Sequence, residues 1–137
     1  HPAKSMPEAV KKGELPVLIK FIDAAADLSV QVHPDDAYAR EHENGQLGKS
    51  EMWYVVDAAP GAKLVYGFSH DMDRERVREA AQNGTLEKHL QRVPIRKDDV
   101  FFIPAGTVHA IGGGSLIAEV QESSNLTYRL YDYHRAF

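Results

Sequence analysis

Cysteine is absent from the 137 residues. Disulfides and thiolate metal sites are excluded together, so imidazole, carboxylate and amide groups are left as the metal ligands, and a reducing compartment is consistent with the composition. An excess of positive charge is missing too: 16 lysines and arginines stand against 20 aspartates and glutamates, for a formal net charge of -4. No basic field therefore addresses nucleic acid or an anionic membrane, and an anionic ligand has to be held by a few local cations. No apolar run approaches the roughly 20 residues of a membrane span, and the amino terminus lacks the charged-then-apolar layout of a signal peptide. The expectation is a cytoplasmic protein, in which Asn125-Leu126-Thr127 matches a glycosylation acceptor by accident. An initiator methionine is lacking as well, and His1 in its place suggests an excised piece of something longer. Internal repeats and low-complexity tracts are not seen.

What is present suits one core. With 43% hydrophobic residues the chain is expected to form one domain over residues 15–137, preceded by an arm or loop over 1–14 that carries two prolines, a lysine pair and Gly13. Residues 15–23 are almost continuously apolar, which predicts a strand buried on both sides, interrupted by Lys20. That lysine either snorkels to the sheet edge or aims its ammonium at an anion. Residues 28–33 alternate, with Leu28, Val30 and Val32 on one face and Ser29, Gln31 and His33 on the other. Asp35 or Asp36 caps a short helix over 37–41, ended by Asn44-Gly45-Gln46-Leu47-Gly48. Strands are predicted over 49–56 and 63–68, joined by a turn at Pro60-Gly61. Asp71 or Asp73 starts a helix that runs to about Gln82 and stops at Asn83-Gly84; its arginines 74, 76 and 78 read as a solvated face. A second short helix follows over 86–90. The remainder reads as strands over 93–96, 100–103, 108–111, 116–122 and 127–133. Gly112-Gly113-Gly114 reads as a hairpin loop, since no helix follows to make it a phosphate cradle. Many short strands with a small helical insertion indicate an all-β sandwich or barrel of the jelly-roll kind.

Chemistry concentrates in three places. His33 ends the alternating strand; Lys49, Glu51 and Trp53 share one face of the next; and Pro104-Ala105-Gly106-Thr107-Val108-His109 delivers a second histidine just after a tight corner. A single histidine on a strand is commonly a hydrogen-bonded structural residue. Two imidazoles and a carboxylate, however, are what zinc or another borderline divalent ion accepts, with Gln31 as a weaker oxygen ligand. The intervals of 18 residues (33 to 51) and 58 residues (51 to 109) match no local zinc-finger pattern, so the site requires the fold to assemble it.

Five segments, in order, carry a resemblance: Leu15-Pro16-Val17-Leu18-Ile19-Lys20, Gln31-Val32-His33-Pro34-Asp35-Asp36, Gly48-Lys49-Ser50-Glu51-Met52-Trp53, Pro104-Ala105-Gly106-Thr107-Val108-His109-Ala110 and Thr127-Tyr128-Arg129-Leu130-Tyr131-Asp132-Tyr133. Together they closely resemble the type I mannose-6-phosphate isomerases, zinc enzymes of the cupin superfamily. The resemblance implies a cupin-type jelly-roll β-barrel with a small helical insertion, one zinc ion per chain, and interconversion of mannose 6-phosphate and fructose 6-phosphate through an enediol. It implies metal ligation by Gln31, His33, Glu51 and His109. It places Arg129 and Lys49 at catalytic positions, and Lys20, Ser29 and Arg135 at substrate or phosphate contacts. The implied partner is a small sugar phosphate, with neither nucleic acid nor membrane. Arg129 and Arg135 share a strand face about 20 Å apart if the strand runs straight, which assigns them separate roles. Family members usually carry sequence upstream, a longer connection near Gly13, and a second cupin-like domain after Arg135; the expectation is a trimmed catalytic core. Two other readings keep the fold: a cupin oxygenase with iron in the same ligands, and a sugar-phosphate-binding module without turnover.

Overall fold

The computed structural model describes residues 17–43, 48–122 and 126–133. Among these residues nine strands form two antiparallel sheets. They are β1 (Val17–Ala24), β2 (Val30–Val32), β3 (Glu51–Ala58), β4 (Lys63–Phe68), β5 (Leu90–Pro94), β6 (Val100–Ile103), β7 (His109–Ile111), β8 (Ser115–Glu122) and β9 (Tyr128–Tyr131). One sheet has the order β1-β8-β3-β6 and the other β5-β4-β7-β2-β9. This is the jelly-roll arrangement expected of a cupin, with the helices among the described residues confined to two connections.

The first helix, α1 (Asp36–His42), is capped by Asp35, whose carboxylate accepts from the Tyr38 amide. The second, α2 (Arg74–Asn83), is capped in the same way by Asp73 and is followed by a 3-10 turn over Leu86–His89. That turn takes the place of the expected second helix, and strand structure resumes at Leu90, earlier than predicted. The core between the sheets is built from Trp53, Val55, Leu64, Ile95, Ile103, Ile111 and Ile117. Tyr66 ties the sheets together by donating its hydroxyl hydrogen to the Phe102 carbonyl at 2.8 Å. A second cluster of Val30, Val65, Val108 and Ala110 lies on the opposite face of the five-stranded sheet, where α2 covers part of it.

Two further expectations are corrected. Residues 17–23 are not buried on both sides: among the described residues β1 is a sheet edge that pairs only with β8. Its register puts Leu18, Lys20 and Ile22 inward and Val17, Ile19 and Phe21 outward, with Phe21 74% exposed. A continuous apolar run looks the same whether both faces are covered or one is bare, so periodicity could not separate the cases. Gly112-Gly113-Gly114 is likewise not a hairpin loop, because it carries the chain from β7 in one sheet to β8 in the other. The crossing passes so near β4 that a Cβ on Gly112 would lie 2.0 Å from the Lys63 carbonyl oxygen. Close backbone approach therefore demands glycine there.

Candidate metal centre and active site

The register builds the site from facing rows of residues. Across the four-stranded sheet, Leu18, Gln121, Glu51 and Ile103 form one inward row, and Lys20, Glu119, Trp53 and Phe101 the next. Across the five-stranded sheet, Arg129, Gln31, His109 and Tyr66 stand in one row. His33 follows β2 on the parity of Gln31. Gly48 brings the start of β3 beside it: its amide donates to Asp36 Oδ1 at 2.8 Å and the Lys49 amide to the Pro34 carbonyl at 3.0 Å. A Cβ on Gly48 would lie 2.3 Å from the Asp35 carbonyl carbon, so a larger residue would push Lys49 and Glu51 away from His33. The corner before β7 is tied to the same place, the Gly106 amide donating to the His33 carbonyl at 2.8 Å.

His33, Glu51 and His109 are all buried, and one ligand atom from each lies within 4.8 Å of the others. Both imidazoles are oriented by backbone carbonyls: His33 Nδ1 is 3.0 Å from Leu126 O, and His109 Nδ1 is 2.9 Å from Thr107 O. A carbonyl only accepts, so each ring holds a proton on Nδ1 and in its neutral form presents a bare Nε2. These Nε2 atoms turn to Glu51, His33 at 2.9 Å from Oε1 and His109 at 3.7 Å from Oε2. His33 Nε2 is buried there without a hydrogen-bond partner. Buried lone pairs directed at a carboxylate leave a place for a cation, and this donor set fits a borderline divalent ion. Gln31 donates its amide to Ser29 Oγ at 2.7 Å, which leaves its carbonyl oxygen available.

The charges support the same reading. Burial would raise the Glu51 carboxyl, but when the rings carry a second proton the His33 hydrogen bond and the charge on His109 and His33, together with the Lys49 ammonium 3.3 Å from Oε1, outweigh burial and bring it down to about 2. Glu51 is thus a carboxylate at any neutral pH, further engaged by the Trp53 indole N–H at 3.1 Å. Burial lowers the His109 pKa, which keeps that ring neutral and able to ligate.

These groups open into a cavity of about 300 Å³, the lower end of what ligand pockets offer. Of the residues singled out in the sequence, Lys20, Ser29, Gln31, Lys49, Glu51, His109 and Arg129 line it, and His33 joins through Glu51 and His109. Lys20 thus faces the cavity mouth, and Arg129 lies 4.0 Å from Asp132. Arg135 falls outside the described residues. Sequence reasoning passed over Glu119, a buried cavity-lining carboxyl whose pKa is raised by burial and by Glu51. Its signal was an acid in the middle of a strand, on the parity of Ile117 and Gln121. A larger and more apolar groove of about 720 Å³ lies outside the barrel between α2 and the five-stranded sheet, away from these ligands.

The comparisons with known proteins point to one family. Residues 3–63 match the model of the type I phosphomannose isomerase catalytic domain. The chain is 48% identical over 120 residues to the mannose-6-phosphate isomerase ManA of Bacillus subtilis, a match spanning 88% of this chain and 38% of that protein. It is 47% identical over 125 residues to the mannose-6-phosphate isomerase of Streptococcus mutans, spanning 91% of this chain and 39% of that one. The crystal structure of the Bacillus subtilis mannose 6-phosphate isomerase superposes with a TM-score of 0.83 at 40% identity, over 90% of this chain and 39% of that chain. The chain spans about two fifths of the length of these relatives. By sequence and by fold, it is a relative of the type I phosphomannose isomerases, a cupin in which a His-Glu-His cluster lies inside the barrel.

Proposed function

We propose that the chain is a metal-dependent aldose–ketose isomerase core that interconverts mannose 6-phosphate and fructose 6-phosphate. The observation that carries this reading is the convergence of two bare Nε2 atoms on Glu51 at the wall of a cavity lined by Lys20, Lys49 and Arg129. Gln31, His33, Glu51 and His109 would hold one zinc ion, which when bound would polarise the sugar oxygens at C1 and C2.

The remaining work falls to the chain. A proton leaves C2 of the open aldose, an enediol forms, and a proton returns to C1 while the O2 hydroxyl proton ends on O1; no oxidant or reductant is consumed. Lys49, buried against Glu51 and lining the cavity, is placed to take and return a proton. Arg129, opposite Gln31 in the sheet, is placed to offset negative charge developing on the sugar oxygens. Lys20 and Ser29 line the same cavity and give the phosphate and hydroxyls anchors away from the reacting carbons. Arg135 is proposed as a further phosphate contact. Sugar phosphates are retained inside cells by their charge, which puts the reaction in the cytoplasm.

The test is a coupled isomerase assay on the 137-residue chain, run with zinc, after chelation and after zinc is restored. Turnover that disappears and returns with the metal is expected. Mannose 6-phosphate binding without turnover in zinc-loaded protein would favour a binding module instead. Elemental analysis that finds iron, with no isomerase activity on reloading with zinc, would favour the oxygenase reading.

A further inference from the structure

Two histidines far from the cavity stand at the neck of the helical insertion. His70 lies just after β4 and His89 ends the 3-10 turn just before β5, so α2 and that turn are the excursion between them. His70 Nε2 and His89 Nδ1 are 3.1 Å apart, their rings crossing at 72°. Ser69 organises the pair: its amide and hydroxyl both donate to the His89 carbonyl, at 2.8 and 3.2 Å, and its Oγ is 3.1 Å from His70 Nδ1. A hydroxyl whose hydrogen goes to the carbonyl offers the ring only lone pairs. His70 therefore carries its proton on Nδ1 and leaves Nε2 bare, and His89 Nδ1–H donates to it.

We propose that this pair is a second metal site, which takes a borderline divalent cation between His70 Nε2 and His89 Nδ1 and clasps the neck of the insertion. Two nitrogens each about 2.0–2.1 Å from a zinc ion stand roughly 2.8–3.4 Å apart in cis or tetrahedral arrangements, so the pair is already at ligating separation. Binding requires no net loss of a proton: His89 moves its hydrogen from Nδ1 to Nε2, and His70 keeps the tautomer set by Ser69. A cavity of about 280 Å³, whose polar lining is both rings with Arg76, Glu79, Asn83 and Thr85, leaves room for water in the other positions. Among the described residues, no third histidine or acid closes on the pair as Glu51 closes on His33 and His109. The site therefore binds less tightly than the central one, and its expected effect is on the insertion, not on the barrel.

The test is a calorimetric titration of the chelated full chain with Zn²⁺, followed by copper-induced broadening of backbone amide signals to locate the weaker site. Two binding events are expected in the unmodified chain. His109→Ala should keep the weaker event, and His70→Ala should keep the stronger one while weakening the other at least tenfold. Copper should broaden the amides of Ser69, His70 and His89, and His89→Gln should abolish that broadening. The proposal is overturned if the His109→Ala chain takes up no Zn²⁺ up to about 1 mM, or if His70→Ala and His89→Gln leave both events unchanged. A missing stronger event in the unmodified chain, with the weaker one present, would count against the proposed isomerase site and leave this one standing. His70 is exposed, so its replacement does not endanger the fold.

Discussion

His33 and His109 show how little a residue's identity says until its second nitrogen is accounted for. Each could have been a structural histidine on a strand. What marks them as candidate ligands is a backbone carbonyl at Nδ1 together with a buried Nε2 turned to a carboxylate. Removing one of two imidazoles from such a cluster typically costs metal affinity by orders of magnitude. His109→Ala is accordingly expected to lower zinc affinity at least about 100-fold and to abolish turnover, checked by metal analysis after dialysis and by the coupled assay. Arg129→Ala should keep its zinc and lose turnover, since Arg129 sits across from Gln31 with no place in the ligand cluster. Full metal occupancy in His109→Ala, or metal loss in Arg129→Ala, would show that these roles are misassigned.

At the scale of elements, the four-stranded sheet reverses the usual reading of alternation. On β8 the apolar set Leu116, Ala118 and Val120 would be sent to the core by hydrophobicity alone, yet Ser115, Ile117, Glu119 and Gln121 are the buried ones. The inner face is polar because it lines a cavity, and β1 follows the same rule with Lys20 inward and Phe21 outward. Glycines then fix how the elements meet. Gly48→Ala would force a Cβ to 2.3 Å from the Asp35 backbone, and since backbone cannot yield as a side-chain tip does, a loss of about 2 kcal/mol or more is expected. Chemical denaturation would measure it, with weaker zinc binding as the companion effect because Lys49 and Glu51 shift with the strand. A change under about 0.5 kcal/mol would show that the contact relaxes freely.

For the molecule as a whole, the cost of gathering these groups is legible in pH. His109 has a lowered pKa in the folded protein, so below its ordinary value of 6.5 the unfolded chain binds the proton first and stability falls as pH drops. Glu51, at about 2 in the fold against 4.5 otherwise, continues the loss as pH falls from 4.5 towards 2. Glu119, raised by burial, has the opposite sign and gains stability as pH falls through its folded value towards 4.5. Metal-free protein is expected to lose denaturation free energy between pH 7 and 5, and a Glu119→Gln variant to lose it more steeply near the lower end; a flat profile would contradict both. The outer face of the four-stranded sheet makes a separate prediction: Phe21→Thr, at a position 74% exposed, should change stability by no more than about 0.5 kcal/mol, whereas Trp53→Ala, 1% exposed, should cost about 3–5 kcal/mol.

Much of the site was legible before any coordinates, because ligand chemistry is local: alternation put Gln31 and His33 on one face and Lys49, Glu51 and Trp53 on another, and the proline-glycine corner announced His109. Cap and turn chemistry likewise placed α1, α2 and most strands to within a few residues. What the tertiary structure alone decided was which strand is an edge, which glycines cross between sheets, and which side of β8 is inside. Those depend on what lies opposite a residue in space, and a one-dimensional pattern of apolar and polar side chains is the same whether the space it faces is core, cavity or solvent.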